Sequence, residues 1–403
     1  MKWIVIVLLF LDILIKRKLS KKGYYLIEFP RITKKMIKKF TTFDAQLGWC
    51  PIPNSHKKNV SIYTGVPFAD IYSIDAYGSR LLNIPFERGF VSTYGDSFCL
   101  CREAPENATF QAFLSKRTHS YVSNYGVGNY GLDQALLRME SQFLKDKTKH
   151  VIIAITPLTI ERILSVWKHY SEPGNVLGAK PRFVLQNGGL KLIPNFIQCP
   201  DEFLRIKKKE KFLHQNDGNY RHFLKQKQKQ NLSSLLYLAT NKSLRDFEFT
   251  RISYEIAKRI RKNHILAVKE EVFLKASQSY IKEEKRKETI YLAYLYRTEA
   301  QLFIKLIERF INFSEIHKFV PHLLILPTYD HILFMREGNK LYHDVIRDIK
   351  ISCPKLNIID MYDKSWRFMN LDVIESLFVN KFGHHSTKGN HIISDVLQEY
   401  LSV

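Results

Sequence analysis

The sequence predicts an α/β fold built on a parallel sheet, with a helical insertion. Three observations carry that expectation. Residues 86–160 read as strand–helix–strand units joined by short loops, the pattern that places strands side by side in one direction. Apolar runs suited to buried strands return late in the chain, at Phe319-Val320-Pro321-His322-Leu323-Leu324-Ile325-Leu326-Pro327 and at Asn357-Ile358-Ile359-Asp360. The stretch between these two regions loses strand periodicity and becomes charged.

In chain order, residues 1–22 form an apolar and then basic segment. The run Trp3–Ile15 is shorter than the roughly 20 residues that cross a bilayer unaided, and Asp12 interrupts it. No small-residue cleavage site follows it, which argues against a removed signal peptide. Lys16-Arg17-Lys18 and Lys21-Lys22 suit an anionic membrane surface, so this segment is a candidate anchor. A helix or strand packed on the domain accounts for it equally well. Residues 23–85 mix β-branched and aromatic residues with turn formers such as Pro51, Pro53, Asn54 and Gly65, and read as an irregular N-terminal lobe. The α/β core is expected over 86–162 and 291–403. Between them, 163–290 reads as a basic, mostly helical insertion or cap, carrying Lys207-Lys208-Lys209 and Lys225-Gln226-Lys227-Gln228-Lys229. Inside it, Lys180–Pro194 looks like a hairpin with a glycine turn. A helix over 298–318 precedes the late strands. A final helix carries Ile392, Ile393, Val396, Leu397 and Leu401 on one face, capped by Ser386.

Chemistry concentrates in three loops. Gly95-Asp96-Ser97-Phe98 follows the apolar run Phe90–Tyr94, with Asn107 as an expected cap for the helix beyond it. A serine at the tip of a strand-to-loop turn can present both its hydroxyl and its own N–H to a carbonyl. Alone, Gly-Asp-Ser is a common turn former. The second loop, Asn124-Tyr125-Gly126-Val127-Gly128-Asn129-Tyr130-Gly131, leads into a helix whose Leu132, Leu136, Met139 and Phe143 share a face. Glycines before a helix can aim N–H groups at developing negative charge. The third loop, Gly383-His384-His385-Ser386-Thr387-Lys388-Gly389-Asn390, places histidines just ahead of the last helix.

These blocks, in this order, resemble the SGNH (GDSL-type) hydrolase superfamily. The subgroup with Asn-x-Gly-Val-x-x-Tyr-Gly-x-Asp-Gln is similar to envelope and polysaccharide-locus members. The resemblance spans roughly residues 40–160 and 320–403. It includes a lead-in of Phe43-Asp44, Leu47-Gly48-Trp49 and Pro51, then Tyr72-Ser73-Ile74-Asp75, Gly78 and Arg80. It implies a three-layer α/β/α sandwich of flavodoxin-like type and ester chemistry without metal or organic cofactor. Ser97 matches the nucleophile. Gly126 matches the glycine whose N–H joins the Ser97 N–H in the oxyanion hole. His384 matches the general base, because Gly389 follows it at the family's spacing, and His385 is the competing choice. The implied activity is a serine esterase or O-acyl transferase acting on acylated carbohydrate.

Two departures stand out. The family's third oxyanion donor is an asparagine after the next strand, where this chain reads Val151–Pro157; Thr156, Thr159 and Asn175 are substitutes. The family's aspartate before the histidine is replaced by Lys381 and Phe382. A backbone carbonyl, Asp363 or Asp372 is expected to orient His384, Asp372 being nearer along the chain. An alternative function follows from these departures: a catalytically weak or inactive protein of the same fold, binding an anionic polysaccharide or membrane surface.

Composition bounds the rest. A hydrophobic content of 45% across 403 residues supports a large core. The net charge of +23 fits an anionic partner or surface, and a cell-envelope or membrane-associated location, without excluding the cytoplasmic face. A lysine-rich background accounts for it too. No nucleic-acid motif accompanies the charge. Five cysteines, Cys50, Cys99, Cys101, Cys199 and Cys353, form neither a disulfide framework nor a zinc pattern. Cys99 and Cys101 read as packing residues behind the serine loop, with a Cys–His nucleophile as the sharper alternative.

Overall fold

The computed structural model describes residues 7, 10–14, 26–60, 67–232, 297–381 and 383–401. The basic cluster expected to follow the N-terminal apolar run, and residues 233–290 of the expected insertion, lie outside the described residues, as does Phe382. Two compact units emerge. One gathers Met1–Lys39, Trp167–Gly178 and Asp201–Arg286; the other gathers Phe40–Val166, Ala179–Pro200 and Lys287–Val403.

The larger unit begins with two small antiparallel pairs, β1 (Phe43–Asp44) with β2 (Gly48–Trp49), and β3 (Ser55–Val60) with β4 (Pro67–Ile74). Its centre is a five-stranded sheet of β5 (Val91–Gly95), β6 (Val122–Asn124), β7 (His150–Ile155), β10 (Val320–Ile325) and β11 (Asn357–Asp360). The spatial order is β6-β5-β7-β10-β11, and every pairing is parallel. Counted within the sheet this is the 2-1-3-4-5 order of a doubly wound fold. The central strands are buried from end to end, as in Val151-Ile152-Ile153-Ala154-Ile155. Strands covered on both faces carry continuous apolar runs of this kind.

Two groups of helices flank the sheet. Helix α1 (Phe110–Thr118) packs against α5 (Thr387–Gln398). Helix α2 (Leu132–Phe143) packs against α3 (Arg297–His317), which in turn meets α4 (His343–Ser352). This gives the three-layer α/β/α arrangement. The apolar face expected on α2 is buried at Leu132, Leu136, Met139 and Phe143. Ser386 caps α5, its hydroxyl accepting from the Gly389 N–H at 3.2 Å. One cap moves: Thr109, not Asn107, caps α1 by accepting from the Ala112 N–H at 3.1 Å. A short 3-10 turn over Glu106–Ala108 consumes the residues ahead of it.

The expected hairpin forms from β8 (Arg182–Gln186) and β9 (Gly189–Ile193). Asn187 and Gly188 turn it with φ of 51° and 75°, the left-handed pair that matches strand twist in a two-residue loop.

The smaller unit is organised around Trp167, which is wholly buried. Its ring stacks on Phe29, its Nε1–H donates to the Val176 carbonyl at 2.9 Å, and its backbone N–H donates to Asp217 Oδ2 at 2.9 Å. Glu28 is a second hub, taking His214 Nε2 at 2.6 Å and Lys227 Nζ at 2.7 Å. No helix among the described residues is long and apolar enough to cross a membrane.

The packing of α3 sets a stability contrast. Leu306 is completely buried, whereas Ile316 on the same helix is 72% exposed. Leu306→Ala should lower unfolding free energy by about 2–5 kcal/mol, and Ile316→Ala should stay within about 0.5 kcal/mol, both read from urea unfolding midpoints.

Candidate active site

The site lies where β5 and its neighbours end. Strand order reverses between β5 and β7, so the crevice outside their carboxyl ends is where an open α/β sheet takes a ligand. Ser97 follows β5 by two residues and is 6% exposed. Among the described residues, neither its N–H nor its hydroxyl is engaged in a hydrogen bond. The turn that presents it is heavily constrained. Asp96 Oδ1 accepts from the Phe98 N–H at 2.9 Å, and Asp96 Oδ2 accepts from Thr156 Oγ1 and from Arg162, each at 2.9 Å. The Asp96 and Arg162 side chains are 2% and 5% exposed, so this ion pair sits in the protein interior.

Glycines allow the turn to close. A Cβ on Gly95 would stand 1.8 Å from the Ala154 carbonyl oxygen, and one on Gly126 would stand 2.3 Å from the Leu100 N. No side chain fits at either place.

Arg80, from the lead-in, explains the shape beyond the serine. It is 1% exposed. Its Nη1 donates to the carbonyls of Leu100 and Cys101 at 2.8 and 2.7 Å, and its Nη2 to that of Ala104 at 2.7 Å. Its own backbone N–H donates to the Asn124 carbonyl at 2.8 Å. One residue therefore joins the serine turn to the end of β6.

The turn held by Arg80 contains Glu103, which sequence reasoning missed. Glu103 Oε2 accepts from the backbone N–H of His384 at 2.7 Å. His384 Nδ1 stands 3.1 Å from the same oxygen, off the line of a finished hydrogen bond. A Cβ on Gly383 would come within 2.8 Å of that carboxylate oxygen, so a side chain before the histidine would push the Glu103 carboxylate from its place. Burial pushes the Glu103 carboxyl up, but the hydrogen bonds and charge of His384 outweigh it and leave the group below its ordinary value of 4.5.

The carboxylate beside His384 is therefore neither of those expected from chain proximity. Asp363 pairs with Arg367 at 3.5 Å, and Asp372 is an exposed residue in the first turn of the helix Leu371–Ser376. Chain distance misled because this carboxylate arrives through the fold, from the turn after Ser97. The signal available in the sequence was weak: a lone glutamate six residues after Ser97.

His384 and Ser97 share this locality through Phe98, whose ring centroid is 4.6 Å from that of His384. His385 is a different kind of residue. It is 2% exposed and ringed by Phe98, Trp366 and Phe378. Burial, then the neighbouring His384, push its pKa down to about 3, so it stays neutral and packs.

Gly126 reaches the same end of the sheet, but its N–H donates to Asn124 Oδ1 at 3.0 Å. Thr156 is committed to Asp96, Thr159 Oγ1 accepts from the Leu132 N–H at 2.7 Å, and Asn175 donates to Glu172 in the smaller unit. Of the three, Thr156 has committed its hydroxyl proton, Thr159 is held as an acceptor, and Asn175 bonds within the smaller unit. The glycine loop is clamped from the lead-in: Trp49 Nε1–H donates to the Gly128 carbonyl at 2.9 Å, Tyr130 Oη–H donates to the Trp49 carbonyl at 2.5 Å, and Gln134 Nε2 donates to the Leu47 carbonyl at 2.7 Å.

Cys99 and Cys101 are buried, and burial first of all pushes the Cys99 thiol well above its usual value and the Cys101 thiol up to about 12. Thiols held protonated are poor nucleophiles, and these two pack. Cys50, Cys199 and Cys353 form no disulfide among the described residues. For metals, Glu28, Glu210 and His214 bring ligand-type atoms within 4.8 Å of one another. Lys227 already neutralises Glu28 at 2.7 Å, so the group is an ion-pair hub of the smaller unit.

No family model matches the chain, and no curated protein matches it. Among solved structures, the chain is similar to a G-D-S-L family protein from Desulfitobacterium hafniense DCB-2, with 10% identity, coverage of 79% of this chain and 100% of that chain, and a TM-score of 0.34. At that identity and score, the site has to be read from this chain's own residues.

Two outcomes follow from the geometry. Arg80→Ala leaves the Cys101 carbonyl its Ala104 N–H at 3.0 Å and the Leu100 carbonyl the Asn124 amide at 3.4 Å, but takes the guanidinium from the buried Ala104 carbonyl, and should cost about 1–3 kcal/mol in urea unfolding for that unsatisfied group. Glu103 gives a pH signature. A carboxyl held below its unfolded value stabilises the fold above that value and loses the contribution as pH falls through the folded one. The stability gap between wild type and Glu103→Gln should therefore be fully present above the ordinary carboxylate value of 4.5 and close as pH falls below it, measured by urea titrations at stepped pH.

Proposed function

We propose that the chain is a serine ester hydrolase or O-acyl transferase of the SGNH type, with Ser97 as nucleophile and His384 as general base. The observation that carries this reading is one arrangement. A serine whose hydroxyl and N–H make no hydrogen bond among the described residues follows β5 at the switch point of a doubly wound sheet; its chain neighbour Phe98 packs on a histidine whose Nδ1 lies 3.1 Å from a buried carboxylate.

In the proposed reaction His384 takes the Ser97 proton as the oxygen attacks an ester carbonyl. The carbonyl oxygen gains negative charge, which the Ser97 N–H meets; donors placed at that point are worth on the order of 10²–10³ in turnover. Gly126 adds its N–H once the Asn124 amide releases it. Collapse of the intermediate breaks the ester C–O bond, and His384 returns the proton to the departing alcohol. Water then attacks the acyl-Ser97 in a hydrolase, or a sugar hydroxyl in a transferase. Acyl groups on carbohydrate are the substrate class we propose, by resemblance of the loop blocks. The charge of +23 supports work at an anionic envelope or membrane surface.

One observation favours a second reading, a binding module for an anionic polysaccharide or membrane surface. The Gly126 N–H and the Thr156 hydroxyl are both engaged, so two of the donors expected for an oxyanion are committed elsewhere. A fluorophosphonate probe separates the two. We expect labelling of wild type at Ser97, none in Ser97→Ala, and a rate lowered roughly 10²- to 10⁴-fold in His384→Ala, read by intact mass spectrometry. Folded wild-type protein that resists the probe would make the binding module the better reading.

A further inference from the structure

We infer that Glu103 is the positioning residue of this site, replacing an acid that would otherwise precede the histidine in the chain. This rests on the serine-esterase reading for its catalytic meaning, and on three independent geometric facts for its substance. A single carboxylate oxygen meets both the backbone N–H of His384 at 2.7 Å and its Nδ1 at 3.1 Å. A Cβ on the glycine before the histidine would press on that same oxygen at 2.8 Å, so the glycine lets the carboxylate come this close. The segment bearing Glu103 is pinned on both sides, at Cys101 and Ala104, by the buried Arg80 guanidinium.

The physical consequence is an unusual economy of parts. In a Ser–His–acid arrangement the acid fixes the tautomer that leaves the outer ring nitrogen free to accept a proton, and it stabilises the imidazolium that forms. Here the acid and the nucleophile belong to the same turn, six residues apart. Moving that turn moves both partners of the histidine together. The Glu103 side chain is 4% exposed, so water offers it little competition for the ring. The other titratable groups facing this pair are few. Arg102 acts on Glu103 through its charge, and His385 lies beside His384 and is kept neutral by burial. Neither supplies an anion to the imidazole. Asp363 is paired elsewhere and Asp372 is exposed.

The test compares full-length wild type with Glu103→Gln and Glu103→Asp. Glutamine retains an oxygen for the His384 backbone N–H, so the loop keeps its anchor while the anion is lost. Fluorophosphonate labelling of Ser97 should slow roughly 10²- to 10⁴-fold in Glu103→Gln, and the acidic limb of its rate–pH profile should move to lower pH. Glu103→Asp should recover part of the rate and restore the limb. Labelling of Glu103→Gln at the wild-type rate with an unmoved limb would overturn the proposal and leave Glu103 a loop anchor. A second readout does not depend on activity. In ¹⁵N-histidine-labelled protein, His384 should carry its proton on Nδ1 in wild type and a tautomer mixture in Glu103→Gln. An identical mixture in both also overturns the positioning role. Failure of wild type to label at all removes the esterase reading alone, and the tautomer measurement still decides what Glu103 does.

Discussion

The buried guanidinium of Arg80 is the constraint on which the rest of the site depends. Three carbonyls of the turn after Ser97 converge on it, and a cation fully removed from water requires such partners. The turn's own backbone bonds, such as Arg102 N–H to the Ser97 carbonyl at 3.1 Å, close it locally, and Arg80 satisfies carbonyl valences that those bonds leave, the Ala104 carbonyl above all. The reach of Glu103 to His384 and the link to β6 through the Asn124 carbonyl follow from that one interaction.

A second buried charge pair works on the other side of the serine. Asp96, held by Arg162 and Thr156, fixes the turn to the loop after β7. The aspartate between the glycine and the serine is therefore spent on shaping the backbone around Ser97. The same bond accounts for the absence of Thr156 from any donor role. Close packing then leaves little freedom: Gly95 lies against the Ala154 carbonyl and Gly126 against the Leu100 N. Such density favours a preorganised site, in which donors are already aimed when charge develops.

The lead-in residues have a common purpose visible only in three dimensions. Trp49, Leu47 and Arg80 lie far from the site in sequence, yet they tie the glycine loop and the serine turn through hydrogen bonds to main-chain carbonyls and, at Trp49 and Leu47, through their own carbonyls accepting from Tyr130 and Gln134. Loops that carry chemistry need a rigid support, and here short β pairs and their turns provide it. The smaller unit has its own logic, with Trp167 and Glu28 each collecting partners from separate stretches of chain.

The sequence by itself determined the parallel sheet, its central strands and the helices over Leu132–Phe143 and Thr387–Gln398. Each of these is encoded locally, by apolar runs, helical periodicity and a serine cap. It also pointed to Ser97, Gly126 and His384, through the resemblance of their three loop blocks, in order, to a known family. Tertiary structure alone decided the rest. Asn107 lost its cap to Thr109 because a 3-10 turn intervened. The Gly126 N–H went to the Asn124 side chain. The carboxylate facing His384 proved to be Glu103 and not Asp363 or Asp372, since a carboxylate interacts through space and its distance along the chain carries no energy. Periodicity and caps are properties of neighbours in sequence; the pairing of a charge with its partner is settled only when the chain has closed.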